Sequence, residues 1–254
     1  ESTTSSAGND VTLATSAGDI QLVRVSAGEL GDVSVTSAGA ITEDGNAATV
    51  VSGGGLSLSS VGGIDVDTAV VSIGATTTGA GAIVIEESDG VELKSVVVAD
   101  GLISVSAGGT MVATKVESAI DREENDITLI TTVGDMKLGS VSAGDPSLLV
   151  VKEWDSENSK WINHIWDLGF LGDVSVTSAG AITDDDDPET YVSGDELSLE
   201  AGGEVKLATM VQKVSAVTTG LGSIEIDDTD SSGLELESVV AADGSISVSA
   251  GGAM

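Results

Sequence analysis

No cysteine occurs in the chain, which excludes a disulfide framework and any cysteine-ligated zinc or iron–sulfur centre. Aromatic rings are nearly as scarce, with three Trp, one Tyr and one Phe in 254 residues. A core with so few rings has to be built from Val, Ile, Leu and Ala, which suits a narrow stack of strands better than a globule. Cations are few as well: 9 Lys and Arg stand against 42 Asp and Glu, a formal net charge of −33. Phosphate binding depends on Lys and Arg, so nucleic acid and anionic membranes are poor partners, and cations or cationic surfaces better ones. Self-repulsion of this size also keeps a strand-rich surface from pairing edge to edge. No run approaches the roughly 18 apolar residues of a membrane-spanning helix. The opening "ESTTSSAGND" shows neither the basic nor the apolar region of a signal peptide. Hydrophobic content of 41% is nevertheless too high for a disordered acidic tail.

What the chain has in abundance is repetition. "LGDVSVTSAGAIT" at 30–42 recurs letter for letter at 171–183, an offset of 141. "DVTLATSAGDIQLVRVSAG" at 10–28 returns as "DITLITTVGDMKLGSVSAG" at 126–144, an offset of 116. The jump between offsets locates an insertion of 25 residues just after Gly144. Unit one is therefore 1–116, and unit two is 117–254 with an insert at about 145–170. The second unit stops at Met254, the counterpart of Met111, and the expectation is a portion of a longer array.

A finer period runs inside each unit. A glycine followed by alternating apolar residues opens "GDIQL" at 18, "GDVSV" at 31, "GAIVI" at 81 and "GLISV" at 101. Each reads as a period-2 strand starting at a turn. Ile20, Ile41, Ile64, Ile83 and Ile103 follow one another at steps of 21, 23, 19 and 20, and Ile182, Val205, Ile224 and Ile246 at 23, 19 and 22. Steps near 20 residues predict an all-β parallel β-helix, a β-solenoid of about eleven coils with like residues stacked on like. The alternative is a tandem of immunoglobulin-like β-sandwich domains, since 116 residues suits one such module. Unit one, however, has no ring at all, and a two-sheet core about 10 Å thick normally uses at least one.

The run "GDIQLVRVSAGELGDVSVTSAGAIT" resembles the repeats of filamentous-haemagglutinin-type and giant β-strand-repeat bacterial surface proteins. The likeness covers nearly the whole chain outside the insert and rests on the degenerate motif Gly-x-aliphatic-x-aliphatic. It implies a right-handed parallel β-helix that is exported and serves adhesion, spacing or fibre formation, and so an extracellular or cell-surface location.

Signals for an enzyme are weak. The cations Arg24, Lys94, Lys115 and Arg122 of unit one are scattered, the single histidine lies in the insert, and neither a nucleophile elbow nor a P-loop occurs. Glycoside hydrolysis needs two placed carboxylates, and 42 acids offer any number of pairs. No catalytic residue and no required cofactor is therefore expected. Acidic runs at turns supply hard oxygen ligands suited to calcium, with Asp184, Asp185, Asp186, Asp187 and Asp227, Asp228, Asp230 as the candidates. EF-hand spacing and the calcium-binding nonapeptide repeat are both missing.

The insert "DPSLLVVKEWDSENSKWINHIWDLGF" holds Trp154, Trp161, His164, Trp166 and Phe170. Two apolar stretches, 148–154 and 161–171, flank a polar turn, the pattern of a β-hairpin or protruding loop. A helix over 161–171 would also place Trp161, Ile165 and Leu168 on one face. Concentrated tryptophan marks a contact site for a carbohydrate, a protein or a neighbouring copy, or else a small satellite core. Two roles thus stand side by side: a stiff acidic rod that self-associates end to end or laterally, and an adhesin binding through its tryptophans.

Overall fold

A computed structural model describes residues 8–46, 50–144, 149–155, 160–166, 171–230 and 233–254, with 149–155 and 160–166 as backbone. Every regular element among the described residues is a strand, and no helix there is long and apolar enough to cross a membrane. Twenty strands form one parallel sheet wound into a β-solenoid of about ten turns, spaced about 22 residues apart. The sandwich alternative is thereby excluded. The turns are slightly fewer and longer than the eleven of about 20 residues expected, because corners differ in length. The step is 17 residues from Leu56 to Ile73 and 25 from Met111 to Met136.

Each turn crosses two main columns of rungs. The first stacks Ile20, Ile41, Ile64, Ile83, Ile103 and Ile127 in register, then Val174, Leu197 and Val214. The second stacks Val11, Val33, Leu56, Ile73, Leu93, Ala113 and Leu138, and on the same face Val91, Met111, Met136, Ile182, Val205, Ile224 and Ile246 form a neighbouring row. Period-2 alternation turns these residues inward, and the apolar part of the core is built from Val, Ile, Leu, Ala and Met. Each fully buried Ile or Val contributes roughly 1.5–3 kcal/mol. Small side chains keep both walls close, so the ring-poor composition and the thin core are one fact.

The two units do not sit in phase. Val11 lies in the second column, whereas its counterpart Ile127 lies in the first. Ile20 and its counterpart Met136 are exchanged in the opposite sense. Counting rungs from Val11 to Ile127 gives about five and a half turns per unit, so equivalent residues of the two copies occupy opposite faces of one rod. Stacking is continuous across the junction, Ile103 pairing with Ile127 and Met111 with Met136.

The insert leaves this stack without interrupting it. Gly172 N donates to Ala143 O at 3.0 Å and closes the neck, where unit one makes a short turn in which Gly31 N meets Gly28 O at 3.4 Å. Beyond the neck, Leu149–Asp155 and Lys160–Trp166 pair antiparallel, which makes the insert a hairpin. The helix reading therefore fails over 161–166, whose backbone pairs with the strand Leu149–Asp155 instead; 167–170 lie outside the described residues.

Close stacking makes some glycines obligatory. Gly101 has φ +150°, and a Cβ there would stand 2.5 Å from Gly81 O on the coil below. Gly101→Ala is expected to lower stability by about 1–3 kcal/mol, and Ser104→Ala, on the outer face of the next strand, by much less. Urea unfolding followed by circular dichroism compares the two.

Candidate functional site

Acidic residues at strand entrances act as staples between coils. Asp10 Oδ1 accepts from Asp32 N at 2.9 Å, and Asp32 Oδ1 from Gly55 N at 2.9 Å. In the second unit Asp126 accepts from Asp173 N at 3.0 Å, and Asp173 from Glu196 N at 3.2 Å. Asp19 and Asp135 hold Ala40 N and Ala181 N in the same way, at 2.7 and 2.8 Å. A side chain just before a strand lies over the next coil's backbone, so a short carboxylate reaches an amide that the corner leaves without a ladder partner.

One such row lines an open groove of about 290 Å³ between coils, walled by Asp126, Thr128, Asp173, Ser175, Glu196 and Ser198. Burial pushes the Asp173 carboxyl above its usual range, the charges of Asp126, Glu196 and Asp195 add to the effect, and the bond from Glu196 N opposes it. Lys213 bounds this region, 3.2 Å from Glu196 and 3.1 Å from Glu237. The arrangement is acidic and hydroxyl-rich, with no nucleophile–base pair in it.

The calcium candidates fall in two places. Asp184–Asp187 occupy the turn after the strand Ile182–Asp184, and they bond mostly within that turn. Asp184 accepts from Asp186 N, Asp185 from Asp187 N and from the Thr190 hydroxyl, and Asp187 from Glu189 N. Asp186, at φ 60°, pairs with Lys206 at 2.9 Å, and the ammonium holds its carboxyl below the usual range. Asp227 and Asp228 are neighbours on one strand, so they face opposite sides. Asp227 points outward and accepts from the Ser249 hydroxyl at 2.6 Å, while Asp228 points into the core and is 1% exposed. Among the described residues no three acidic or histidine side chains are placed to share a metal ion.

In the hairpin the register sets Trp154 directly across from Trp161, Val151 across from His164, and Leu149 across from Trp166. Phe170 lies outside the described residues.

The motif reading missed Glu87, 4% exposed and pointing into the core. Its carboxylate accepts from the Thr68 hydroxyl at 2.7 Å and from Val70 N at 3.1 Å. Asp228 does the same with Thr209 and Val211 N, at 2.9 and 3.1 Å. The signal was available in alternation: Ile83, Ile85 and Glu87 form one inward row, as do Ile224, Ile226 and Asp228.

No family model, curated protein or solved structure matches the chain.

If the staples stabilise the stack, Asp173→Ala strands the Glu196 amide and should cost about 1 kcal/mol. Asp173→Asn retains an acceptor and should cost less. An unchanged urea midpoint for Asp173→Ala would show the staple to be idle.

Proposed function

We propose that the chain is a structural segment of an extracellular or cell-surface protein, a stiff acidic rod that spaces or builds fibres, without enzymatic activity. The observation behind this reading is the parallel rung pairing, which continues through both units and across their junction, with register shifts at Ile73/Gly74 and along Val205–Leu221. At about 4.8 Å per coil, ten turns span about 50 Å. Several of its carboxylates, Asp10, Asp32, Asp126 and Asp173 among them, are engaged in holding coils together. The likeness of the Gly-x-aliphatic-x-aliphatic repeats to bacterial adhesive filaments points the same way. In such a rod, growth comes from adding coils, and self-association end to end is the partner interaction the shape favours.

The extension test is direct. A chain carrying one more copy of 1–116 should lengthen by about 26 Å, five and a half coils, in small-angle scattering or electron micrographs. A thicker particle of unchanged length would refute the rod. Filaments of the purified protein would establish fibre building, and monomeric rods would favour spacing.

The hairpin register favours a second role for the insert. Trp154 and Trp161 are register partners across the hairpin, and concentrated tryptophan suits a carbohydrate or protein surface. Trp154→Ala with Trp161→Ala should abolish ligand binding or assembly while leaving the β circular-dichroism signal intact. Survival of both properties would reduce the insert to packing.

A further inference from the structure

Two carboxylates inside the solenoid occupy a position that elsewhere takes a small or hydroxyl residue. Along Glu87's column the succeeding rungs are Ala107, Thr131, Ser178, Ala201 and Thr218. The reason for an acid lies in the coil beneath. The strand Ile64–Thr77 runs through its corner without a turn. The coil above pairs with it at Thr68 and again at Ser72, but between those rungs it makes the turn Ser88–Gly90. Val70 N therefore has no backbone acceptor above it, and Glu87 reaches down to supply one at 3.1 Å. Unit two repeats this arrangement: Val205–Leu221 is continuous, Asp228 pairs with Thr209, Lys213 pairs with Glu235, and Asp228 serves Val211 N between them.

The neighbourhood of each carboxyl is anionic or neutral. Glu87 has Thr68 below it and Ala107 above, with the Asp89 side chain hydrogen-bonded to it and Asp89 N donating at 3.3 Å. Asp67 and Glu86 pair on the outer side of the same rung. Asp228 has Thr209 below and Ala250 above, with Asp230 N donating at 3.0 Å, the Asp230 charge nearby and Asp227 outside. No cation is among the groups acting on either carboxyl.

We propose that Glu87 and Asp228 are paired acid-tightened latches, one on each face of the rod, which close their coil corners more firmly as the pH falls. A neutral carboxyl still accepts from the Thr hydroxyl and the Val amide through its carbonyl oxygen, and its proton can bridge to Asp89 or Asp230. The ionised form keeps the same donors but places an uncompensated charge in the core beside another carboxylate. Burial is the leading cause that raises both carboxyls above their ordinary values. Proton uptake therefore favours the closed corner. That stabilisation is complete below the ordinary carboxylate range and is lost as the pH rises through the raised value. The half-turn offset between units places the two latches on opposite sides, so neither face is left without one.

Amide hydrogen exchange in the intact chain tests this, read by NMR at Val70 and Val211 and corrected for intrinsic rates. Protection at both should increase from about pH 7.5 toward about pH 5, by up to tenfold per pH unit while the pH lies between the open and closed carboxyl values. In Glu87→Gln with Asp228→Asn the slope should vanish at those amides, while Ile64 and Ile103, which donate to backbone carbonyls of the neighbouring coil at 2.8 and 2.9 Å, report the rod's general response to charge. Protection independent of pH in the parent chain, or an undiminished slope in the variant, overturns the proposal. Should the double variant fail to fold, carbon-13 titration of the two carboxyls in the parent chain decides: midpoints in the ordinary range overturn it, and raised midpoints support it.

Discussion

Every coil of this protein is buried by its neighbours, and the rest of the structure depends on that vertical contact. The pentapeptide Ile-Ser-Val-Ser-Ala occurs twice, at 103–107 and 246–250. In the first place Ile103 and Val105 are wholly buried; in the second Ile246 is 48% exposed. The residues and the alternation are the same, and only the coil above differs. Stability in such a stack is a sum over nearest neighbours. That demands close approach and stacked rungs, which glycine corners and aliphatic side chains provide.

The acidic composition takes on structural meaning in this setting. A solenoid corner leaves amides that the ladder does not serve, and a short carboxylate on an adjacent coil reaches them. Asp10, Asp32, Asp126 and Asp173 do so at the surface, and Glu87 and Asp228 do so inside. Surface staples keep more contact with water than the buried pair, whose larger desolvation cost is accepted to satisfy an amide that the ladder leaves unserved. Solubility and coil cohesion thus draw on the same residues.

Much of the architecture was legible because solenoid contacts repeat at a nearly constant sequence distance. The ladder from Ile20 to Ile103 appears as real rungs, and the insertion point after Gly144 coincides with a closed neck. Candidate metal residues were less legible. A run such as Asp227-Asp228 looks like one cluster in a string of letters, yet strand geometry sends its members to opposite sides. The hairpin was legible as one of two patterns, and pairing of 149–155 with 160–166 chose between them.

By itself, the sequence determined the coil period, the aliphatic core and the doubled unit, since each follows from local alternation and from spacing along the chain. The tertiary structure alone decided the phase between the units. Position around the rod accumulates from every corner length before it, so five and a half turns carry Val11 and Ile127, equivalent by sequence, to opposite faces. It also decided which acids turn inward to serve Val70 and Val211, because an amide's lack of a partner is a property of the coil stacked above it.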